Sequence, residues 1–276
     1  MMPGTCATAA PPIPWCAGPS ARSSSAWPRR ADFVIVANKF LQSWAEDAGA
    51  TSVTCIPTVV DLRGYPQTAL PAPEPFTIGW IGTPETAPYL DTIKGALKQV
   101  LAKENTRLLL VGAEPSFLPL PNVETQSWSE AREANLLQRM HVGIMPLPQG
   151  AWEYGKSGYK LVQYMAASRP VVASPVEVNC DVVKDGVSGF FAITEEEWVA
   201  NLERFRGNAN LTSALGAAAR QTVEASFSLR ATVPKTAEIL LSAAALRPPS
   251  RRKLARSSFK PDLARSAASN DAAPSR

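Results

Sequence analysis

Between Phe76 and Ala192 short apolar runs alternate with longer amphipathic stretches, and this alternation constrains the fold more than any other feature. The runs are 76–82, 107–112, 142–147, 170–174 and 189–192, with a weaker one at 123–125. They are apolar at successive rather than alternate positions, as strands buried on both faces require. Between and after them lie predicted helices. Residues 87–103 carry Leu90, Ile93, Leu97 and Leu101 on one face. Ser129 is placed to cap a helix through Met140, with Arg132 and Glu133 in its first turns. Further helices are expected over 159–167, 195–206, 208–226 and 230–246, the last two rich in alanine. Upstream, 33–37, 39–48 and 53–56 read as strand, helix and strand, closed by Pro57. The pattern predicts an α/β fold: a Rossmann-like parallel sheet with helices on both faces. Such sheets bind ligands at the carboxyl ends of their strands.

The flanks have a different texture. Residues 1–30 are rich in Pro, Ala and Ser and show no periodicity, so they are expected to be disordered or unrelated to the fold. Residues 63–75 hold Pro66, Pro71, Pro73 and Pro75 and read as an extended linker. Residues 247–276 read as a disordered basic tail, with eight basic residues against Asp262 and Asp271. The formal charge of the chain is +4, yet residues 31–246 hold 17 basic and 22 acidic residues. The basic balance therefore belongs to the ends, and global charge says little about any phosphate site.

No apolar run is long enough to span a bilayer. The first residues lack a basic start and a continuous apolar core, so no signal peptide is expected. Cys6, Cys16, Cys55 and Cys180 are scattered without metal spacing, which predicts a reduced, cytoplasmic chain with no zinc site. No metal or other cofactor is expected. The single histidine, His141, excludes two-histidine metal sites, and its place at a strand start predicts a structural role.

Two segments carry candidate chemistry. Gly79-Trp80-Ile81-Gly82-Thr83-Pro84 ends a strand ahead of a helix. It is either a loop whose N–H groups meet a phosphate or an ordinary βα turn. It is neither the dinucleotide fingerprint nor a P-loop. In the second segment, Gly155-Lys156-Ser157-Gly158-Tyr159-Lys160 opens a helix, with Gln163 one turn on, and Arg169-Pro170-Val171-Val172-Ala173-Ser174-Pro175 follows. Glycines around a lysine at a helix start place a cation and free N–H groups at the carboxyl edge of the sheet.

This second segment resembles the donor-binding domain of retaining GT-B-fold glycosyltransferases, the family-4 or "glycosyl transferases group 1" type. The resemblance extends to the preceding GIMPLP, the following PVVASPVEVN and DGVSGFFA, and IGWIGTP. It covers about 31–245. It implies that 31–62 corresponds to the end of an N-terminal acceptor domain and that 76–246 is a nucleotide-sugar-binding domain. The implied activity is transfer of a sugar from a nucleotide diphosphate-sugar to an acceptor, with retention and without a metal. Lys156 is then assigned to stabilise the departing diphosphate. Gly82, Thr83, Ser157, Gly158 and Lys160 line the donor phosphates, Gln163 holds the ribose, and Glu177, Val178 and Asn179 lie near the sugar.

This sequence departs from the family where many members have two glutamates separated by seven residues; Gly155 and Gln163 stand there. The first-strand Arg and Lys that often neutralise the pyrophosphate are missing as well. Only 31–62 resembles an acceptor domain, so the chain is expected to be either a truncated, donor-binding product or one that relies on a partner chain supplying that domain. The competing expectation is a non-catalytic interaction module that works through the basic tail. Left without sheet neighbours, Val34, Ile35, Val36, Phe40, Leu41 and Trp44 are expected to pack on the larger domain or on another chain. The helix over 230–246 is expected to return to this unit.

Overall fold

The first unit runs β1 (Val34–Val36), α1 (Lys39–Asp47), β2 (Val53–Cys55). The second runs β3 (Phe76–Ile81), α2 (Lys94–Leu101), β4 (Thr106–Val111), β5 (Val123–Gln126), α3 (Glu130–Gln138), β6 (Val142–Met145), α4 (Ala151–Tyr154), α5 (Tyr159–Ala166) and β7 (Val171–Ala173). It continues through α6 (Val178–Val182), β8 (Gly189–Phe191), α7 (Glu195–Arg206), α8 (Ala209–Ser226) and α9 (Leu229–Leu246). The computed structural model describes residues 27–66, 74–114 and 119–246. The expected tail at 247–276, most of the 1–30 segment and the middle of the 63–75 linker lie outside the described residues.

Six strands form one wholly parallel sheet in the order β5-β4-β3-β6-β7-β8. Direction of winding reverses between β3 and β6, which opens a crevice at their carboxyl ends. Successive side chains point to opposite faces. Leu108 and Leu110 of β4 therefore pack with Leu97 and Leu101 of α2 and with Trp198, Leu202 and Phe205 of α7. Leu109 and Val111 face Leu136 and Leu137 of α3, Leu161 and Met165 of α5, and Val223 of α8. Burying both faces is what makes the strands read as continuous apolar runs.

One close approach links this packing to the crevice. A Cβ on Gly143 of β6 would lie 2.2 Å from the Tyr164 ring. The bare glycine lets that fully buried ring lie against the strand, where its hydroxyl accepts from Ile81 N (2.8 Å). The Ile81 N–H sits at the last residue of β3, immediately before Gly82.

The sequence expectations hold for every strand, with differences among the helices. Residues Ala87–Ile93 form a 3₁₀ helix, and regular α geometry begins only at Lys94. Pro88 in the first turn favours such a start. Ser129 has cap backbone geometry, but its side chain makes no cap hydrogen bond, so that expectation fails. The full capping box is at Thr194 and Glu197 instead. The short α4 and α6 have no counterpart in the sequence pattern, because so few residues carry no periodicity.

The β1–α1–β2 unit forms its own two-stranded parallel sheet and packs on the larger domain. Val34 and Phe40 are buried, and the Phe40 ring lies 5.6 Å from that of Tyr154. Ile35 stays exposed. Part of the 1–30 segment belongs to this unit after all. Trp27 packs on Trp44 (6.1 Å), and Arg29 donates to Ala48 O (2.8 Å). The return of α9 is observed: Leu229 N donates to Val60 O, and Lys235 Nζ to Cys55 O (3.3 Å).

His141 is structural. Its Nδ1 accepts from Thr77 N (3.0 Å) and its ring packs on Phe76 (5.0 Å), at the amino end of the sheet. Burial holds its pKa below the usual value. The cysteine expectation is corrected: Cys180 is disulfide-bonded, whereas Cys55 is a free thiol. Among the described residues no helix is long and apolar enough to cross a membrane. No group of three or more His, Cys, Asp or Glu among them could hold a metal.

Candidate functional site

At the crevice between β3 and β6 lies a cavity of about 540 Å³. Ile81, Gly82, Thr83 and Thr86 form one wall and Met145 the floor. Gly155, Lys156, Ser157, Gly158, Tyr159, Lys160 and Gln163 form the other wall, with Trp128 beside them. Seven sequence-assigned residues thus meet here: Gly82, Thr83, Lys156, Ser157, Gly158, Lys160 and Gln163. Each reaches the cavity for a local reason. Gly82 and Thr83 follow the end of β3, and Gly158 takes left-handed geometry (φ 68°) that turns the chain into α5. Leu161 N and Val162 N donate to Gly158 O, while the Tyr159 and Lys160 N–H groups ahead of them have no intrahelical acceptor and form the positive end of the α5 dipole.

The lysines dominate the electrostatics. Lys160 Nζ donates to Thr86 Oγ1 (3.0 Å) and sits 4.3 Å over the Trp80 ring. Lys156 Nζ lies 5.1 Å from the Tyr89 ring and 5.9 Å from that of Trp152. Among the described residues neither lysine forms an ion pair. Burial, and secondarily the neighbouring Lys156 charge, lower the Lys160 pKa to about 7. Two cations facing one cavity without a carboxylate partner are unfavourable alone and are relieved by an anion.

The assigned backbone donors behave differently. Gly82 N donates to Val111 O (3.0 Å) and Thr83 N to Thr86 Oγ1 (3.2 Å), so neither N–H is open. Gly82 instead provides room. A Cβ there would lie 2.5 Å from the Trp80 ring and 2.6 Å from Lys160 Nζ.

Carboxylates approach from places the sequence reading passed over. Glu133 accepts from Trp128 Nε1 (2.7 Å), Gln163 Nε2 (2.8 Å) and the Tyr65 hydroxyl. Burial and the Glu133 contact raise the Tyr65 pKa, keeping that hydroxyl a donor. Gln163, assigned alone to the ribose, is therefore joined to a carboxylate from α3. The signal was the place of Glu133 in the first turn of a helix that starts at the carboxyl edge. Glu153 is buried and accepts from the Tyr89 hydroxyl (2.6 Å); burial and this contact raise the Tyr89 pKa to about 12.

Glu177, Val178 and Asn179 do not line the cavity. Val178 and Asn179 are buried, and the Asn179 amide donates to Ser174 O (2.9 Å). Val178 lies where a Cβ on Gly158 would be 3.3 Å away, so it backs the turn into α5. Glu177 precedes α6 at a positive φ of 26°, and burial, then Asp181, raises its pKa. β-branched and amide side chains at a helix start over the core satisfy packing first.

Solved structures share this architecture. Sucrose-phosphate synthase from Thermosynechococcus elongatus superposes with a TM-score of 0.66 at 19% identity, over 84% of this chain and 65% of that one. Anabaena HepE, solved with UDP and glucose, gives 0.65 at 17% identity, over 80% and 66%. A glycosyltransferase from Rickettsia africae gives 0.64 at 16% identity, over 83% and 67%. The chain therefore spans about two thirds of the length of these proteins. None of the curated proteins matches the sequence. Residues 75–208, which hold β3 through α7 and the whole cavity, match the family model of glycosyl transferases group 1. With its six-stranded parallel sheet and a cavity at the β3–β6 crevice, the chain has the Rossmann-like fold of the C-terminal half of GT-B, that of the group 1 glycosyltransferases.

Proposed function

We propose that the chain binds a nucleotide diphosphate-sugar in the β3–β6 cavity and takes part in transfer of the sugar, with retention, to an acceptor. The observation that carries this reading is the pair Lys156 and Lys160, which face the cavity without ion-pair partners among the described residues. A diphosphate brings the charge this pair lacks. HepE, of the same fold, has been solved with UDP-glucose.

In this reading Lys156 and Lys160 meet the diphosphate, aided by the Ser157 and Gly158 backbone and the α5 dipole. Gly82 and Thr83 shape the pocket. Gln163 and the Glu133 carboxylate it holds face the ribose hydroxyls. As the bond from the sugar to the diphosphate breaks, negative charge grows on the departing phosphate. Preorganised cations in a partly dry cavity stabilise that charge by several kcal/mol. The assignment uses no metal.

Isothermal titration with UDP- and GDP-sugars tests the reading. One of them should bind, and Lys156→Ala should weaken it by about tenfold or more, as loss of a charge-assisted contact implies. Equal binding by the variant refutes the lysine assignment. No binding to any of them refutes the reading.

A further inference from the structure

The segment bearing Lys156 is held from outside its own domain. Asn38, only 3% exposed, caps α1 through Oδ1, which accepts from Leu41 N (2.8 Å). Both N–H groups of the same amide cross to the larger domain. Nδ2 donates to Tyr154 O (2.9 Å) and to Lys156 O (2.8 Å). The first turn of α1 makes two further contacts that flank this segment. Phe40 packs on Tyr154, and Lys39 Nζ pairs with Asp181 of α6 (2.8 Å).

We propose that Asn38 is a positioning residue for the cavity: its amide clips the 154–156 backbone to the β1–α1–β2 unit and so fixes where Lys156 points. The proposal rests on the diphosphate reading for its consequence, but not for the clip itself. Both N–H donors and the carbonyl oxygen of the side chain are engaged, the oxygen inward to its own helix and the two N–H groups outward. Those two carbonyls belong to a four-residue helix end and a glycine loop, which have little periodic structure to hold them. Without the amide the loop backbone keeps its covalent path but loses the two hydrogen bonds that tie it to α1. Any displacement of α1 relative to the sheet is passed directly to Lys156. The β1–α1–β2 unit thereby gains a role in donor binding although it lines no part of the cavity.

The variants are Asn38→Ser and Asn38→Asp, which keep a cap acceptor and remove the two amide N–H groups that reach Tyr154 O and Lys156 O. In titration of the full chain, Asn38→Ser should weaken UDP about tenfold, the loss expected for two buried hydrogen bonds that order a binding group. Uridine, which lacks the phosphates, should bind as to wild type. In a Lys156→Ala background, Asn38→Ser should cost nothing further, because the positioned group is gone. Unchanged UDP affinity, equal loss of uridine, or additive losses each overturn the proposal. Hydrogen exchange on the protein without ligand tests the clip separately. Either variant should speed exchange over 154–158 about tenfold while β3 and β4 keep their protection. Unchanged exchange there overturns the clip. Faster exchange in a protein that binds no UDP upholds the clip and refutes the diphosphate reading alone.

Discussion

Lys160→Met gives the sharpest separation of stability from function. The ammonium is pressed against Trp80, bonded to Thr86 Oγ1, and held near pKa 7 rather than 10.5, chiefly by burial. At about 1.4 kcal/mol per pK unit, the shift sets an upper limit on the order of 4–5 kcal/mol for the destabilisation below pH 7. Access of the cavity to water reduces this, leaving about 1–3 kcal/mol. The sign follows from linkage. Between pH 7 and 10.5 the unfolded chain binds more protons here than the folded one, so the penalty is full below about pH 7 and fades as pH rises. Methionine keeps the length and the contact with Trp80 without the charge. The variant should melt about 4–8 °C above wild type at pH 7. By about pH 10 the difference should have nearly vanished, and UDP binding should be lost at both. Differential scanning calorimetry at about pH 7 and pH 10 checks this. A melting temperature equal to or below wild type at neutral pH refutes the view of Lys160 as a strained, function-bearing charge, as does a gain that persists in alkali.

Three further outcomes follow from the same geometry. Gly82→Ala should weaken UDP by about tenfold and also lower the melting temperature, since its Cβ would meet both Lys160 Nζ and the ring of the fully buried Trp80; titration and melting decide it. Tyr164→Phe leaves Ile81 N without its acceptor in a fully buried place and should cost about 1–3 kcal/mol in urea unfolding. Bound diphosphate favours the charged form of Lys160, so UDP binding should take up protons and weaken as pH rises above about 7. Calorimetry in buffers of different ionisation enthalpy reads this directly, and pH-independent affinity from about 7 to 9 contradicts it.

The strands were legible because a parallel sheet with both faces covered leaves an unbroken apolar run for each one. The Gly155–Lys160 wall was legible because glycines and lysines ahead of a helix have few other uses at a sheet edge. Other features were hidden for physical reasons. The engagement of the Gly82 and Thr83 N–H groups depends on Val111 O and on the Thr86 side chain; residue type does not reveal it. Glu133 reaches Gln163 across 30 residues of chain, a proximity created by tertiary packing. Nothing in the sequence singles out Asn38, whose outward amide contacts span 116 and 118 residues. Val178 and Asn179 carried side chains able to meet a ligand, but the core beneath α6 claimed them.

The central claim is that the β3–β6 cavity receives a nucleoside diphosphate on the Lys156–Lys160 wall. Amide and indole NMR shifts recorded while UDP is titrated test it most directly. Saturable shifts are expected, concentrated at Gly82, Thr83, Trp128 and 156–160, with Lys156→Ala shrinking them. Shifts concentrated on α9 or at the amino end of the sheet around His141, or none at millimolar UDP, would contradict it.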